Sequence, residues 1–239
     1  MFILILGLGR TGQNLAEIAI KSGHQVAGTT RKANHELTQL GVIPIIWSSA
    51  DGTHALPDAD RVICAFPPTD HYPVQLASLF SRYTTTPIIQ ISSTGVFGKN
   101  EGVVNEKTTP LANDPRSNLL LEAEKEVLKQ SNGHIVRAAG LYDEKNHPIQ
   151  FIAGKNNIKN PNGSINLVHR RDLAEILFEL LQEEEIPQIT HAVHPDHPKR
   201  EKYYKEKAKE FNLAEPHFEN LDGIDKVVTS QLQRSWRDL

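Results

Sequence analysis

Three glycines near the amino end have the spacing of a phosphate-binding turn. Gly7, Gly9 and Gly12 form a G-x-G-x-x-G pattern between six apolar residues and a segment with helical apolar spacing. In this context Gly7 permits the tight turn, Gly9 lets the backbone approach a pyrophosphate, and Gly12 lets the helix pack on the strand. The helix start at Arg10 and Thr11 offers free N–H groups to the phosphates. The pattern predicts a dinucleotide site, and the alternative is merely a tight turn.

The end of the second predicted strand, Gln25–Thr30, bears on which dinucleotide binds. NAD sites place Asp or Glu about 20 residues past the glycines, to hold the ribose 2′-hydroxyl. Thr30, Arg31 and Lys32 occupy that place. A hydroxyl and two cations suit a 2′-phosphate, because Arg pairs with phosphate oxygens in a fork. We therefore expect NADP rather than NAD, unless Arg31 and Lys32 only begin a solvated loop.

The fourth predicted strand ends abruptly at a pair of prolines. Ligands of doubly wound sheets lie outside the carboxyl ends of the strands. His71 and Tyr72 follow the prolines, before a helix with Pro73 in its first turn. Either could contact a ligand, but we interpret both as exposed loop residues. The residues that this strand end is expected to place in the cofactor cleft are Ala65, Phe66 and Pro67.

Hydroxyl groups follow the fifth predicted strand, at the same edge of the sheet. Ser92, Ser93 and Thr94 could each hydrogen-bond a ligand there, or they could cap the turn. Tyr142 follows the sixth strand, again at the cleft end. The connection from Lys99 to Pro115 is long enough to cover a site.

The alternation of strands and helices predicts an α/β fold: a Rossmann-like, doubly wound parallel sheet with a small C-terminal substrate lobe. Pro44 interrupts the third strand, so that strand should lie at an edge of the sheet, where the 3-2-1-4-5-6 strand order also places it. We assign 1–144 to the nucleotide-binding domain. Residues 145–239 complete the sheet and form the lobe, with a basic helix at 199–211 and a closing helix after a strand at 226–229.

Composition excludes several classes of protein. The 239 residues carry 26 Lys+Arg against 29 Asp+Glu, and a net charge of -3 argues against nucleic-acid binding. Neither a membrane span nor a signal peptide is expected. The single cysteine, Cys64, lies in an apolar run, which predicts a buried, inert thiol and a reducing compartment, hence the cytoplasm. We expect a small-molecule substrate, and flanking helices make a homodimer a candidate assembly.

Three histidines, His191, His194 and His197, raise the question of a metal site. They pass from a strand into a proline-containing loop, so their rings need not converge. Closed zinc sites usually recruit cysteine or ligands with helical spacing. We therefore expect no metal.

Several segments, taken together and in order, resemble the extended or atypical short-chain dehydrogenase/reductases, including the NAD(P)-dependent epimerase/dehydratase group. The resemblance covers nearly the whole chain and implies a Rossmann fold and a nicotinamide cofactor. The segments are 7–12, similar to the nucleotide loop; 92–98, similar to S-S-x-x-V-Y-G; 137–142, similar to R-x-x-G-x-Y-G; 168–174, similar to I-H-V-D-D-L-A; and 195–203, similar to the D-x-P-x-x-R-x-Y of an atypical subgroup.

One departure from this family concerns catalysis. The family uses Y-x-x-x-K, with Tyr as acid/base and Lys tuning it, but Arg116 and Leu120 take these places here. Glu124 matches a glutamate that usually follows the lysine, which supports the register. The resemblance leaves Ser93 to bind the reacting oxygen and Arg116 to clamp a carboxylate or phosphate. A second Y-x-x-x-K, beginning at Tyr203, lies out of order and is interpreted as coincidence.

Two functions follow from this pattern. The first is an NADP-dependent epimerase/dehydratase or reductase that acts on a small polar, sugar-like substrate, with Thr94 and Tyr142 contacting it. Without the usual pair, ordinary alcohol–ketone redox should be slow, because general acid–base help is worth about two to four orders of magnitude. The second is a non-catalytic NADP(H) sensor. A structural protein with an empty glycine loop is a third alternative.

Overall fold

The central feature of the fold is a seven-stranded parallel sheet. The computed structural model describes residues 1–32, 35–48, 50–221 and 223–239. The first six strands of the sheet follow the predicted 3-2-1-4-5-6 order, and a seventh pairs with the sixth. The strands of the chain are β1 (Phe2–Leu6), β2 (Gln25–Thr30), β3 (Ile43–Ile46), β4 (Arg61–Cys64), β5 (Ile88–Ser93), β6 (Gly102–Val104), β7 (Gly133–Ala138), β8 (Gly140–Tyr142), β9 (Leu167–His169), β10 (Ile189–Ala192) and β11 (Lys226–Val228).

The position of each strand in the sheet agrees with its apolar pattern. Four residues of β1, Ile3 to Leu6, are buried, as expected of a strand covered on both faces. β3 is the edge strand, as Pro44 predicts, and its Ile43 and Ile46 are exposed. The buried Cys64 lies on β4, and burial raises the pKa of its thiol, so it is a poor nucleophile.

Two pairs of helices cover the sheet. The helix at 10–21 packs on the helix at 170–182, and the helix at 72–82 packs on the helix at 115–128. None of the helices within the described ranges has the length and apolar character needed to cross a bilayer. The short helix predicted at 34–40 is observed from His35, and Asn34 lies outside the described residues. The helices are α1 (Arg10–Lys21), α2 (His35–Gln39), α3 (Tyr72–Arg82), α4 (Pro115–Leu128), α5 (Ile149–Ile152), α6 (Arg170–Gln182) and α7 (Arg200–Glu210).

Two small sheets differ from the sequence-based expectations. The connection 99–115 contains β6, which pairs with β11 in parallel, so part of it belongs to a sheet. The prediction of a closing helix was wrong: residues 229–239 form no helix and lie along α6, which they contact through Arg234 and Arg237. β8 pairs with β9 and brings Tyr142 beside His169.

A second, smaller core lies beyond the main sheet. It is built around Tyr142, Ile149, Leu167 and Tyr203, and it places α7 against the segment that follows β8. Tyr203, Tyr204 and Ala208 are the buried residues of α7, and the rest of that helix carries most of its charges. The boundary predicted between 144 and 145 stays a prediction.

Candidate functional site

The turn between β1 and α1 has the geometry that its glycines predict. Gly7 has φ +100°, and a Cβ added there would lie 2.7 Å from the Phe66 nitrogen. A Cβ on Gly12 would lie 2.5 Å from the Gly7 carbonyl oxygen. Around Gly9, in contrast, an added Cβ would meet nothing within 4 Å. The turn is therefore packed against protein at Gly7 and Gly12, and it is open at Gly9, where a ligand could approach its backbone.

The start of α1 has no acidic side chain of its own in the first turn. Gly9 is its N-cap, without a side-chain capping bond. The first N–H groups of a helix have no intrahelical partner and carry a partial positive charge. Arg10 is exposed beside them. These features suit an anionic group such as a phosphate.

A cavity of about 360 Å³ opens beside this turn. Its walls include seven of the residues that the sequence predicts for cofactor binding. Trp47 and Thr29 also line it and were not predicted. Trp47 follows β3 directly, so the rule of carboxyl strand ends, applied to the third strand, would have found it. The seven predicted lining residues are Gly7, Gly9, Thr30, Arg31, Ala65, Phe66 and Pro67.

An aromatic stack forms one side of this cavity. The rings of Trp47 and Phe66 meet edge to face with centroids 5.9 Å apart, and Phe66 meets Tyr72 at 5.2 Å. Tyr72 is fully buried at the start of α3, so its interpretation as an exposed loop residue was wrong. Pro73 lies in the first turn of α3, and the Tyr72 ring packs edge to face against Phe66. Burial raises the pKa of the Tyr72 hydroxyl.

The end of β2 presents cations to the same cavity. The Thr30 hydroxyl donates to the Lys32 carbonyl and closes a turn. Arg31 and Lys32 are both exposed, and among the described residues neither forms an ion pair. This is the open position at which a 2′-phosphate was predicted.

The hydroxyls after β5 are engaged within the protein. Ser93 accepts a hydrogen bond from the Gly95 nitrogen at 3.1 Å, so it caps the short 3₁₀ turn 94–97. Thr94 is buried in that turn. Ser92 donates to Glu124 Oε1 at 2.6 Å and is not among the residues that line the cavity, so its assignment as a cofactor contact stays a prediction. The strand alternates its faces, so Ser92 points towards α4.

Glu124 is the centre of a buried ionic cluster. Arg137 donates to it at 2.7 Å, and both side chains are almost completely buried. The Arg137 guanidinium also lies over the Phe97 ring, 5.1 Å from its centroid. The residues that resemble family motifs in this region therefore stabilise the packing of α4 on β5 and β7.

The helix that should open with the catalytic pair begins at Pro115. Asp114 caps it by accepting from the backbone nitrogens of Arg116 and Ser117, each at 3.0 Å. The Arg116 side chain is exposed, and Leu120 is buried one turn later. The helix and its cap are present, but neither side chain can exchange a proton near neutral pH.

A second cavity, of about 440 Å³, lies at the lobe beyond β8. Tyr142 lines it, and its hydroxyl donates to the Asp238 carbonyl at 2.7 Å. His147, also in its wall, contacts the Tyr203 hydroxyl at 2.9 Å through Nε2, and burial lowers the His147 pKa to about 4. Lys207 and His169 add polar groups.

The three histidines of the 191–197 segment have separate partners. His191 Nδ1 contacts the Thr229 carbonyl at 2.9 Å, and His197 Nδ1 contacts the Ile165 carbonyl at 3.0 Å. His194 accepts from the Asp196 nitrogen at 3.0 Å. These backbone contacts account for one nitrogen of each ring.

Comparison with known proteins agrees with this architecture. The family model "NADP oxidoreductase coenzyme F420-dependent" matches residues 2–92. Protein YeeZ of Escherichia coli K12 is 31% identical over 248 residues, which span 95% of this chain and 90% of that protein.

Solved structures with low sequence identity have the same fold. A putative NAD-dependent epimerase/dehydratase from Methylobacillus flagellatus is 21% identical, with TM-score 0.74, over 95% of this chain and 88% of that one. The UDP-glucuronic acid 4-epimerase from Bacillus cereus, solved with NAD, is 15% identical, with TM-score 0.78, over 97% and 90%. The chain belongs to the family of protein YeeZ, and it shares its fold with solved epimerase/dehydratase and short-chain dehydrogenase/reductase proteins.

Proposed function

We propose that the protein binds NADP(H) in the cavity beside the glycine turn and acts as an oxidoreductase or epimerase on a small polar, sugar-like substrate. The observation that carries this proposal is the open space above Gly9 at an uncapped helix start. A turn needed only for chain reversal would not require that space. The matched family model, an NADP oxidoreductase, and the neighbour solved with NAD support a nicotinamide dinucleotide.

The preference for the 2′-phosphorylated cofactor rests on the end of β2. Arg31 lines the cavity, Lys32 is the next residue, and the sequence from 25 to 35 contains no Asp or Glu to accept from a ribose 2′-hydroxyl. Arginine binds phosphate through two parallel hydrogen bonds, which a hydroxyl cannot match. Arg31 would therefore favour NADP(H) over NAD(H).

The substrate is proposed to bind at the second cavity. Its wall combines the rings of Tyr142, Phe211 and Trp236 with the polar groups of Lys207 and His169. Rings pack against the apolar faces of a sugar, and cations suit an anionic substituent. NADP, when bound, supplies hydride exchange; the protein's own task is to hold the cofactor and the substrate in register.

Proton transfer is the weak point of the enzymatic proposal. Arg116 and Leu120 cannot replace a Tyr/Lys pair. The Ser93 hydroxyl accepts from Gly95 and keeps its proton, so it can hydrogen-bond a substrate oxygen without taking up a proton near neutral pH. Tyr142 donates to Asp238, and burial raises its pKa, so it is a poor base near neutral pH. We expect alcohol–ketone turnover that is about 10² to 10⁴ times slower than with a positioned acid/base.

The engagement of the Tyr142 hydroxyl with Asp238 and the exchange of the Tyr/Lys pair for Arg116 and Leu120 favour a second candidate, a non-catalytic NADP(H) sensor. In that function the nucleotide changes the surface offered to a protein partner, and no proton-transfer group is needed. A homodimer and a cytoplasmic location belong to either proposal as expectations.

The two candidates differ in an activity assay on protein that is shown to bind nucleotide. Purified protein is titrated with NADPH by fluorescence and then tested for hydride exchange on a panel of carbonyl compounds and sugar nucleotides. The enzyme predicts slow exchange in the wild type and faster exchange in Arg116→Tyr/Leu120→Lys. The sensor predicts NADPH binding with no exchange in either protein. Failure to bind NADPH would overturn both.

A further inference from the structure

The start of α6 carries two arginines that reach across to α1. Arg170 and Arg171 stand where the I-H-V-D-D-L-A pattern has valine and aspartate. Arg170 Nη1 lies 3.2 Å from Thr11 Oγ1, inside the glycine turn. Arg171 Nη1 lies 2.9 Å from Glu17 Oε2, further along α1. Of the two, Arg170 alone contacts a residue of the phosphate-binding motif.

Arg170 also binds the lobe side of the molecule. Its Nε donates to Asp143 Oδ2 at 2.8 Å, and both side chains are largely buried. Asp143 directly follows β8 and lines the second cavity. Burial raises the pKa of Asp143, but hydrogen bonds from Arg170 and Asn146 outweigh that effect and hold the pKa at about 2. The carboxylate therefore stays charged, and it fixes the direction of the guanidinium.

The contact at Thr11 determines what its hydroxyl can do. A hydroxyl has one proton to donate and two lone pairs that accept. Arg170 donates to one lone pair of Thr11 Oγ1, and among the described residues it is the hydrogen-bond partner of that oxygen. The proton has no acceptor among the hydrogen bonds of the described residues, and it lies at the helix start that offers its own N–H groups. A second donor in that place suits a phosphate oxygen.

We propose that Arg170 is a positioning residue of the nucleotide turn, which orients the Thr11 hydroxyl towards the cofactor diphosphate and links that turn to the Asp143 wall of the second cavity. The inference rests on the proposed NADP(H) site. Its consequence is that nucleotide contacts at Thr11 are coupled, through the Arg170–Asp143 ion pair, to the loop 143–146.

The test compares Arg170→Gln with Arg171→Gln, which removes an equally placed cation that reaches Glu17 on α1 but not the turn. NADPH affinity is measured by calorimetry, and thermal stability is measured without nucleotide. Arg170→Gln is expected to bind NADPH about tenfold more weakly, the value of one charge-assisted hydrogen bond of about 1.4 kcal/mol. Arg171→Gln is expected to bind within about twofold of the wild type while losing similar stability.

Two further measurements separate positioning from general stability. Thr11→Val keeps the Arg170–Asp143 ion pair, so it should fold normally and weaken NADPH about as much, and Thr11→Val/Arg170→Gln should be no weaker than either single variant. Hydrogen exchange at residues 143–146 should slow on NADPH binding in the wild type and not in Arg170→Gln.

Distinct results overturn the two levels of the proposal. A wild type that binds neither NADPH nor NADH overturns the proposed function and this inference together. A wild type that binds NADPH, with Arg170→Gln or Thr11→Val binding equally well, overturns the inference alone. Additive effects in the double variant would also overturn it, because they would show that the two side chains act separately.

Discussion

Two regions at the same edge of the sheet differ in how many of their polar groups are available to bind a ligand. At the β1–α1 turn and the end of β2, the helix start has no internal anion, and Arg31 faces a cavity. After β5, Ser92 donates its proton to Glu124, whereas Ser93 accepts from Gly95 and keeps its proton for a further partner. The first region therefore has more free binding capacity than the second, where Ser93 alone of the two serines keeps a donor. A shared family motif indicates a location, whereas the hydrogen bonds decide whether its groups can meet a ligand.

The largest effect that tests this contrast is expected from a change at Glu124. Glu124→Gln leaves Arg137 buried without its counter-ion, so the free energy of unfolding should fall by about 3–5 kcal/mol. NADPH affinity of the folded protein should stay within about twofold. Chemical denaturation and calorimetry measure both, with the exposed Glu122→Gln on the same helix as a control expected within about 0.5 kcal/mol. Loss of nucleotide affinity without loss of stability would place Glu124 in the binding site instead.

Gly7 and Gly9 separate the two sides of the turn. Gly7→Ala adds a Cβ against the Phe66 backbone at a left-handed φ, so it should cost about 2–4 kcal/mol of unfolding free energy. Gly9→Ala adds a Cβ in open space and should cost about 1 kcal/mol or less, as an N-cap change. Denaturant titration of the two variants measures the difference. Equal destabilisation would mean that Gly9 is also closed off by protein.

Arg31 tests the choice of cofactor. Arg31→Ala should weaken NADPH about tenfold and leave NADH unchanged, because only NADPH has the 2′-phosphate. Lys155→Ala, an exposed lysine of the lobe, serves as the control and should change neither affinity. An equal loss for both nucleotides would show that Arg31 contacts a group that they share.

The smallest expected effect concerns Asp143. Its pKa in the folded protein is about 2, below its ordinary value, so its ion pair contributes stability above about pH 4 and loses it as the pH falls towards 2. The wild type should be about 1 kcal/mol more stable than Asp143→Asn at pH 6, after allowance for partial exposure, and the difference should shrink steadily as the pH falls from about 4 through 2. Denaturation of both proteins across this range measures the difference. A constant difference would contradict the assignment.

Local patterns were sufficient to predict the sheet and the nucleotide turn. The glycine spacing, the apolar runs and Pro44 each depend on neighbours close in sequence, and the structure agrees with them. The pairing of β6 with β11 joins three-residue strands more than a hundred residues apart, which show no readable periodicity. The segment 229–239 is held by ion pairs of Arg234 and Arg237 with α6, so tertiary contacts override any helical tendency.

The site residues were harder to predict than the fold. For Ser93 two interpretations were open, and its contact with Gly95 corresponds to the capping one. Tyr72 was misplaced because its burial depends on the Phe66 ring, and the contact of Ser92 with Glu124 joins residues too far apart in sequence to be predicted. No pattern in the sequence pointed to the contact between Arg170 and Thr11, since it joins residues 159 positions apart.

Calorimetric titration of NADPH into the wild type and into Gly9→Ala bears most directly on whether the turn holds a dinucleotide. We predict saturable binding of one NADPH per chain in the wild type, and an affinity at least about tenfold weaker in a folded Gly9→Ala. A folded wild type that gives no heat with NADPH or NADH would contradict the assignment, as would a Gly9→Ala variant that binds NADPH as tightly as the wild type.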